Sequence, residues 1–325
     1  MSPLDGPTFE VIAAARRRIA PLIHDTPIVT CNALDHACGG SVFLKCENFQ
    51  RTGSFKFRGA SNAIACLSEA DRARGVITHS SGNHAQALAL AARLHGVDAT
   101  VVVPEDAPRA KREAAAGYGA RVVPCPASQA GRRETAQRLI EETGAVFIDS
   151  HDAAAVIAGQ ATAAVELVES AGPLDLLLAP VGGGGLLSGS VIAAEALLPR
   201  AQVIGCEPQG ADDAYRSLRD GARIAEVHSH TIADGLKTSL GERTFCILSE
   251  HRTRIVLVSE AQIVSAMQFV WERMKLVIEP SSAVAVAPLL SGTLPVGGKR
   301  VGVILSGGNV SLGAAFEAMY PGLGS

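Results

Sequence analysis

Lys56 stands between two aromatics in the segment Gln50-Arg51-Thr52-Gly53-Ser54-Phe55-Lys56-Phe57-Arg58-Gly59-Ala60. An apolar setting disfavours an ammonium ion and lowers the lysine pKa, which leaves a neutral amine for Schiff-base chemistry. Taken alone, the segment also reads as a solvated lysine flanked by core aromatics. A second segment, Val181-Gly182-Gly183-Gly184-Gly185-Leu186-Leu187, sets four consecutive glycines ahead of a helical stretch. Such a run is entropically costly and makes sense where backbone N–H groups wrap an oxyanion at a helix start. Tight packing between strand and helix is the alternative. No Gly-Lys-Ser/Thr follows, which excludes a P-loop, and the acid expected some twenty residues after a dinucleotide fingerprint is not in place. The run therefore reads as a phosphate cradle without a nucleotide.

Two further segments complete the set. Thr78-His79-Ser80-Ser81-Gly82-Asn83-His84-Ala85 leads from a strand into a helix, and its two serines, Asn and His exceed what an N-cap requires. Free N–H donors and the positive dipole end at that point suit a substrate carboxylate. In Val303-Ile304-Leu305-Ser306-Gly307-Gly308-Asn309, Ser306 either bonds a ring nitrogen of a bound heterocycle or caps a glycine turn. An amine, a phosphate cup, a carboxylate cap and a ring-nitrogen partner are the parts of a pyridoxal phosphate site.

The elements that position these segments alternate from end to end. Strands are expected at 42–44, 75–78, 99–103, 121–123, 174–178, 202–205, 254–258 and 300–305. Helices are expected at 85–94, 107–117, 132–143, 156–170, 187–197, 260–274 and 281–290. That alternation predicts an α/β fold with mostly parallel sheets flanked by helices, its ligand beyond the carboxyl ends of the strands. The chain is expected to cross between two lobes near 117–126 and 147–154. The large lobe then comprises 1–75 and 152–325, and a small mobile lobe comprises 76–151.

Composition narrows the class. The chain has 325 residues, 47% hydrophobic and 19% charged, with a formal charge of −3. A balanced charge gives nucleic acid no basic stripe to bind, and the high apolar fraction argues against disorder. No apolar run reaches the ~18 residues that cross a bilayer. Asp5, Glu10 and Arg16-Arg17-Arg18 occupy the place where a signal peptide needs an apolar centre. The seven cysteines are scattered and form no CxxC pair, so they read as reduced thiols of a cytoplasmic protein.

On these motifs the chain resembles the serine/threonine dehydratase and serine racemase family of fold-type II pyridoxal phosphate enzymes, whose fold is tryptophan synthase β-like. The likeness runs from about Val42 to Asn309. Cys46-Glu47-Asn48, Ala155-Val156-Ile157-Ala158-Gly159-Gln160, Ile232-Ala233-Asp234-Gly235 and Val270-Trp271-Glu272-Arg273-Met274-Lys275 resemble the racemase branch in particular. The resemblance implies that Lys56 forms the Schiff base with the cofactor and takes the α-proton, with Ser81 as acid/base on the opposite face. It implies that Phe55 packs beside the ring, Asn83 bonds the 3-oxygen, Ser306 faces the ring nitrogen, and Gly182, Gly183, Gly184, Gly185 and Leu186 hold the phosphate. Ser80, Ser81, Asn83, His84 and Arg133 are expected to bind the substrate carboxylate. A divalent cation, magnesium or manganese, is expected on Glu207, the Ala211 carbonyl and Asp213, whereas His228-Ser229-His230 reads as solvent-facing. The implied activity is α,β-elimination from L-serine or L-threonine, with 3-hydroxyaspartate elimination and racemisation as alternatives, and a phosphometabolite sensor as the non-enzymatic one. A homodimer and the lack of an appended regulatory domain are likewise expected. Ala87, Leu88, Ser311 and the stretch around His151-Asp152 depart from the family pattern, at places that bear on the substrate side chain.

Overall fold

Strands that are apolar at nearly every position need cover on both faces, and helices supply it here. The computed structural model describes residues 4–107, 109–226 and 228–320, so Pro108, inside the helix expected over 107–117, lies outside them. The strands are β1 (Ile28–Val29), β2 (Ser41–Cys46), β3 (Val76–His79), β4 (Ala99–Pro104), β5 (Arg121–Cys125), β6 (Val146–Phe147), β7 (Leu176–Pro180), β8 (Gln202–Pro208), β9 (Arg254–Val258) and β10 (Arg300–Leu305). They form a six-stranded sheet ordered β1-β2-β10-β7-β8-β9 and a four-stranded sheet ordered β5-β4-β3-β6. Every pairing is parallel except β1 with β2. Alternate residues of β7 enter separate cores: Leu176 and Leu178 pack on one face, Leu177 and Ala179 on the other.

Every strand expected from the sequence is present. The two-residue strands β1 and β6 were too short to carry a pattern. Residues 117–126 do not leave the four-stranded sheet but turn at Gly119 and form β5. After β6 the chain runs into the helix Ala154–Ala171, which packs against the larger sheet. The helix expected over 260–274 ends at Phe269 and continues as a π turn, Val270–Met274, closed by Lys275 at φ +60. The stretch 281–290 divides into Pro280–Ala283 and Ala287–Leu290, because Pro288 lacks the N–H that a continuous helix needs there.

Placement of β10 between β2 and β7 decides where the chemistry gathers. Leu305 pairs with Cys46, and Val303 with Leu178, so the chain leaves these three strands at neighbouring points. Beyond β2 comes the helix Lys56–Ala65. It lies against Ala154–Ala171 at backbone contact: a Cβ on Gly159 would stand 2.6 Å from both the Arg58 carbonyl oxygen and the Gly59 Cα.

A buried ion cluster fixes that helix. Arg58 donates through Nε to Glu47 Oε2 at 2.7 Å and through Nη2 to Glu47 Oε1 at 2.8 Å. Its Nη1 and Nη2 reach Glu166 Oε1 and Oε2, each at 2.7 Å. Lys45 Nζ meets Glu166 Oε2 at 2.7 Å, and Thr26 Oγ1 donates to Glu47 Oε1 at 2.5 Å. Arg58 and Glu47 are both 0% exposed. Removing one partner from such a cluster strands the opposite charge in a low dielectric. Arg58→Ala should therefore lower the unfolding free energy by about 3–5 kcal/mol in urea titrations, and a loss below 1 kcal/mol would contradict this account.

Candidate active site

The Lys56 segment and the Ser306 segment are stitched together as they leave the sheet. Ser54 forms an antiparallel bridge with Gly307, Phe55 N donates to Ser306 O at 3.0 Å, and Gly308 N donates to Gly53 O at 2.9 Å. Thr52 and Gly53 take left-handed backbone angles, φ +59 and +72, to make the turn. A Cβ on Gly53 would stand 2.4 Å from Asn309 Oδ1, so the close approach requires glycine. Lys56 opens its helix and directs Nζ to the Ser150 carbonyl oxygen at 2.7 Å, 5.2 Å from the centre of the Phe55 ring. Burial lowers its pKa to about 8, against the opposing pull of Asp149 and Glu279. Ser306 is 3% exposed.

The glycine run lies between β7 and the helix Gly185–Leu197, and Gly184 adopts φ +89 as its N-cap. Among the described residues no acceptor takes the amides of Gly182, Gly183, Gly184, Gly185 or Leu186. Thr244 Oγ1 donates to Gly183 O at 2.8 Å and holds the bend from behind. A Cβ on Gly183 would meet the His151 ring at 2.3 Å, and one on Gly182 would meet Leu236 Cα at 2.9 Å. His151 Nδ1 in turn bonds Ser150 Oγ at 2.8 Å. Burial lowers its pKa, against the opposing pull of Asp149.

From the smaller sheet, β3 delivers Ser80 to the start of the helix Asn83–His95. Ser80 Oγ accepts from Gly82 N at 3.3 Å, and Ser81 is half-buried at the tip. Asn83 Nδ2 donates to Glu279 Oε1 and Oε2 at 2.8 and 3.1 Å, while its Oδ1 accepts from Asn309 Nδ2 at 2.9 Å. His84 is buried, its Nε2 3.3 Å from the Ile148 carbonyl oxygen and its Nδ1 without a partner among the described residues. Burial first, and Lys56 second, push its pKa down to about 3.

A lysine of lowered pKa, an uncommitted row of amides and a buried hydroxyl beside the lysine turn fit pyridoxal phosphate. Residues 19–307 match the family model described as "Pyridoxal-phosphate dependent enzyme". The chain belongs to that family. It is 47% identical over 320 residues to the serine racemase of Dictyostelium discoideum, covering 96% of this chain and 98% of that one. It is 46% identical over 306 residues to the β-hydroxyaspartate dehydratase of Paracoccus denitrificans, covering 94% and 97%. The structure of maize serine racemase superposes with a TM-score of 0.93 at 39% identity, covering 97% of each chain. This pyridoxal-phosphate dependent enzyme thus has the fold-type II architecture, and its kin are ammonia-lyases and racemases.

The remaining residues singled out in the sequence fall into two places. Arg133 is exposed on the helix Gln129–Thr143, whereas its neighbour Arg132 is half-buried with Nε unpartnered among the described residues. Arg132, Ser150 and Glu279 were not anticipated. Ser150 acts through a backbone carbonyl, which its side-chain type does not report, and a carboxylate before Pro280 reads as an ordinary helix cap. Away from the cleft, the Glu207 carboxylate accepts from Ala214 N at 2.8 Å and Tyr215 N at 2.9 Å. Asp213 Oδ2 accepts from Leu240 N at 3.2 Å, and Oδ1 is buried without a partner among the described residues. Burial pushes Glu207 up to about 9 and Asp213 up to about 6. Ala211 is buried beside them in the chain, and His228 and His230 are exposed. Among the described residues no three His, Cys, Asp or Glu side chains converge as a metal cluster.

The lowered Lys56 pKa has a kinetic consequence, because only the neutral amine attacks an aldehyde. Capture of pyridoxal phosphate by the cofactor-free protein should accelerate as pH rises through about 8, not 10.5. Stopped-flow absorbance, referenced to a free lysine analogue, measures this, and a profile parallel to the free amine would count against the burial effect.

Proposed function

We propose that the enzyme removes the β-hydroxyl group and the amino group from β-hydroxy amino acids of the L-serine and L-threonine type. The α-proton and the hydroxyl leave as water, and water then displaces nitrogen, so one amino acid yields one 2-oxo acid and one ammonia. The observation that carries this reading is a chain of contacts: Lys56 Nζ meets Ser150 O, Ser150 Oγ meets the His151 ring that packs on Gly183, and Phe55 N meets the carbonyl of buried Ser306. Pyridoxal phosphate, when bound, supplies stabilisation of negative charge developing at the substrate α-carbon.

In this reading Gly182, Gly183, Gly184, Gly185 and Leu186 hold the phosphate through N–H groups at a helix start. Phe55 packs beside the ring, Asn83 donates to the 3-oxygen and Ser306 Oγ faces the ring nitrogen. A neutral hydroxyl there does not hold that nitrogen protonated as a carboxylate would, which favours elimination over amino transfer. Lys56 Nζ takes the α-proton from one face, a transfer worth about 10²–10⁴-fold. The substrate carboxylate is received by Ser80, Ser81, Asn83 and the neutral His84 at the helix start. Closure of a mobile lobe, 76–151, onto the lobe made of 1–75 and 152–325 excludes water. The strands of the smaller sheet, all within 76–147, support that division.

Arg132 favours a second reading of the substrate. Its half-buried guanidinium, with Nε uncommitted among the described residues, suits a second carboxylate and hence 3-hydroxyaspartate. The Paracoccus relative carries that substrate in its name. Arg133, being exposed, takes at most a supporting part. Return of the proton by Ser81 from the opposite face gives racemisation as a companion activity. For location and assembly we propose a cytoplasmic homodimer. Its cysteines are free, and among the described residues no helix is long and apolar enough to cross a membrane. Phe49 and Val277 are exposed apolar side chains on segments joined by the Asn48 Nδ2–Val277 O hydrogen bond, and a second copy would cover them.

Magnesium or manganese on Glu207, the Ala211 carbonyl and Asp213 completes the proposal. Burial raises both carboxyl pKa values, and Glu207, at about 9, holds a proton at pH 7 that a neutralising dication would replace.

Incubation with L- and D-serine, the threonines and the 3-hydroxyaspartate isomers, scored for 2-oxo acid and product chirality, tests the reaction. Lys56→Ala should abolish both turnover and the visible absorption of the holoenzyme. Ser81→Ala should abolish racemisation and keep most L-elimination; equal loss of both sinks the two-face assignment. Chelation at pH 7 should lower the melting temperature, and magnesium should restore it with release of protons. Asp213→Asn should be insensitive to both, and a chelator-indifferent wild type would remove the metal from the account.

A further inference from the structure

We propose that Glu279 is a positioning residue that, together with Asn309, holds the Asn83 carboxamide in the orientation needed to donate to the cofactor. This inference rests on the pyridoxal phosphate reading of the cleft and adds to it a residue outside the motif set.

The two ends of a carboxamide have nearly the same shape, so only their hydrogen-bond partners decide which way the group faces. Here both partners decide it in the same sense. Glu279, 3% exposed, is an acceptor when ionised and takes Asn83 Nδ2 on both oxygens, at 2.8 and 3.1 Å. Asn309 presents a donor, Nδ2, to Asn83 Oδ1 at 2.9 Å, and the same Nδ2 donates to Thr52 O at 2.6 Å. A flipped Asn83 would set an oxygen against the carboxylate and an N–H against an N–H. Both contacts are repulsive. Of the two hydrogens on Nδ2, one can serve the carboxylate while the other is kept for a ligand oxygen.

The carboxylate is itself held by the ligand-bearing loops. Glu279 N donates to Gly307 O at 3.1 Å, which ties it to the residue after Ser306. A Cβ at Gly307 would stand 2.8 Å from Glu279 Oε1, so the approach depends on that glycine. Asn83 starts a helix fed by the four-stranded sheet, whereas Glu279, Asn309 and Thr52 belong to segments around the six-stranded sheet. The hydrogen bonds therefore set one side of the cleft against the other, and the charge on Glu279 strengthens the one it accepts.

The test uses the cofactor-free protein titrated with pyridoxal phosphate, and the reconstituted holoenzyme. Glu279→Ala should weaken pyridoxal phosphate binding about ten- to a hundredfold, the range for loss of one charge-assisted hydrogen bond. It should also shift the balance between the two near-ultraviolet and visible bands, which report where the 3-oxygen proton resides, in the same direction as Asn83→Ala. The double variant should be no worse than the poorer single one, since both act through one group. Glu279→Gln, which can still accept through Oε1, should recover part of the loss and covers the case in which the alanine variant does not fold. Wild-type band balance and affinity in Glu279→Gln and Glu279→Ala, or additive losses in the double variant, would overturn the inference and leave the cofactor reading intact. A wild-type protein that develops no visible band with pyridoxal phosphate would instead overturn both.

Discussion

Arg58 follows Lys56 by two residues, a rotation of about 200° around the helix. One side chain therefore faces the body of the protein when the other faces the cleft. The guanidinium is gripped by Glu47, from the end of β2, and by Glu166, from the helix Ala154–Ala171. Lys45 contributes the second cation, so two positive and two negative charges balance in a region closed to water. Such a cluster is weak evidence for extra stability, since desolvation offsets much of the attraction. Its geometric content is strong. Fork-shaped donors satisfied on both sides leave the helix no freedom to rotate, and Lys56 inherits that fixed azimuth.

Strand order does the rest of the gathering. Lys56, the glycine run and Ser306 lie far apart in the chain, yet β2, β10 and β7 are neighbours and release all three at one end of the sheet. The electrostatics of the cleft follow from burial. Desolvation lowers the pKa of the Lys56 amine and of the His84 and His151 imidazoles. Asp149 behaves differently: burial opposes its charge, but His151 and the amides of His151 and Asp152 hold its carboxyl below the ordinary value. The site thus sets a readily deprotonated amine among imidazoles of lowered pKa and beside the Asp149 carboxylate, which keeps its charge.

Much of this was legible in the sequence because the responsible patterns are local. β-Branched runs give the strands, and a glycine run or a doubled serine before a helix gives a loop with unspent N–H groups. Other features depend on partners distant in the chain. Arg132 and Arg133 stand in a polar helix whose pattern carries no phase, so the sequence offers no means to choose which one turns inward. Glu279 acquires its meaning only from Asn83, 196 residues away. The π turn at Val270–Met274 depends on a nearer partner, since Trp271 Nε1 donates to Ile278 O at 3.0 Å across the break. The short helices near Pro288 were readable from the proline, and the expectation of one continuous helix gave it too little weight.

For the glycine run the sequence left two readings open, a tight strand-to-helix junction and an anion cradle. The close packing of the first and the free amides that the second needs occur at the same residues. His151, Leu236, Leu240 and Thr244 lie so close that a Cβ at Gly182, Gly183 or Gly184 would collide. The amides from Gly182 to Leu186 nevertheless remain uncommitted among the described residues. The two facts are causally linked. A bare glycine loop would be free to turn its N–H groups toward water or toward its own carbonyls. Packing against His151 and the Thr244 hydroxyl restrains the bend before any ligand arrives, so less ordering remains to be done on binding. Close packing is thus the means by which four flexible residues become a fixed row of donors.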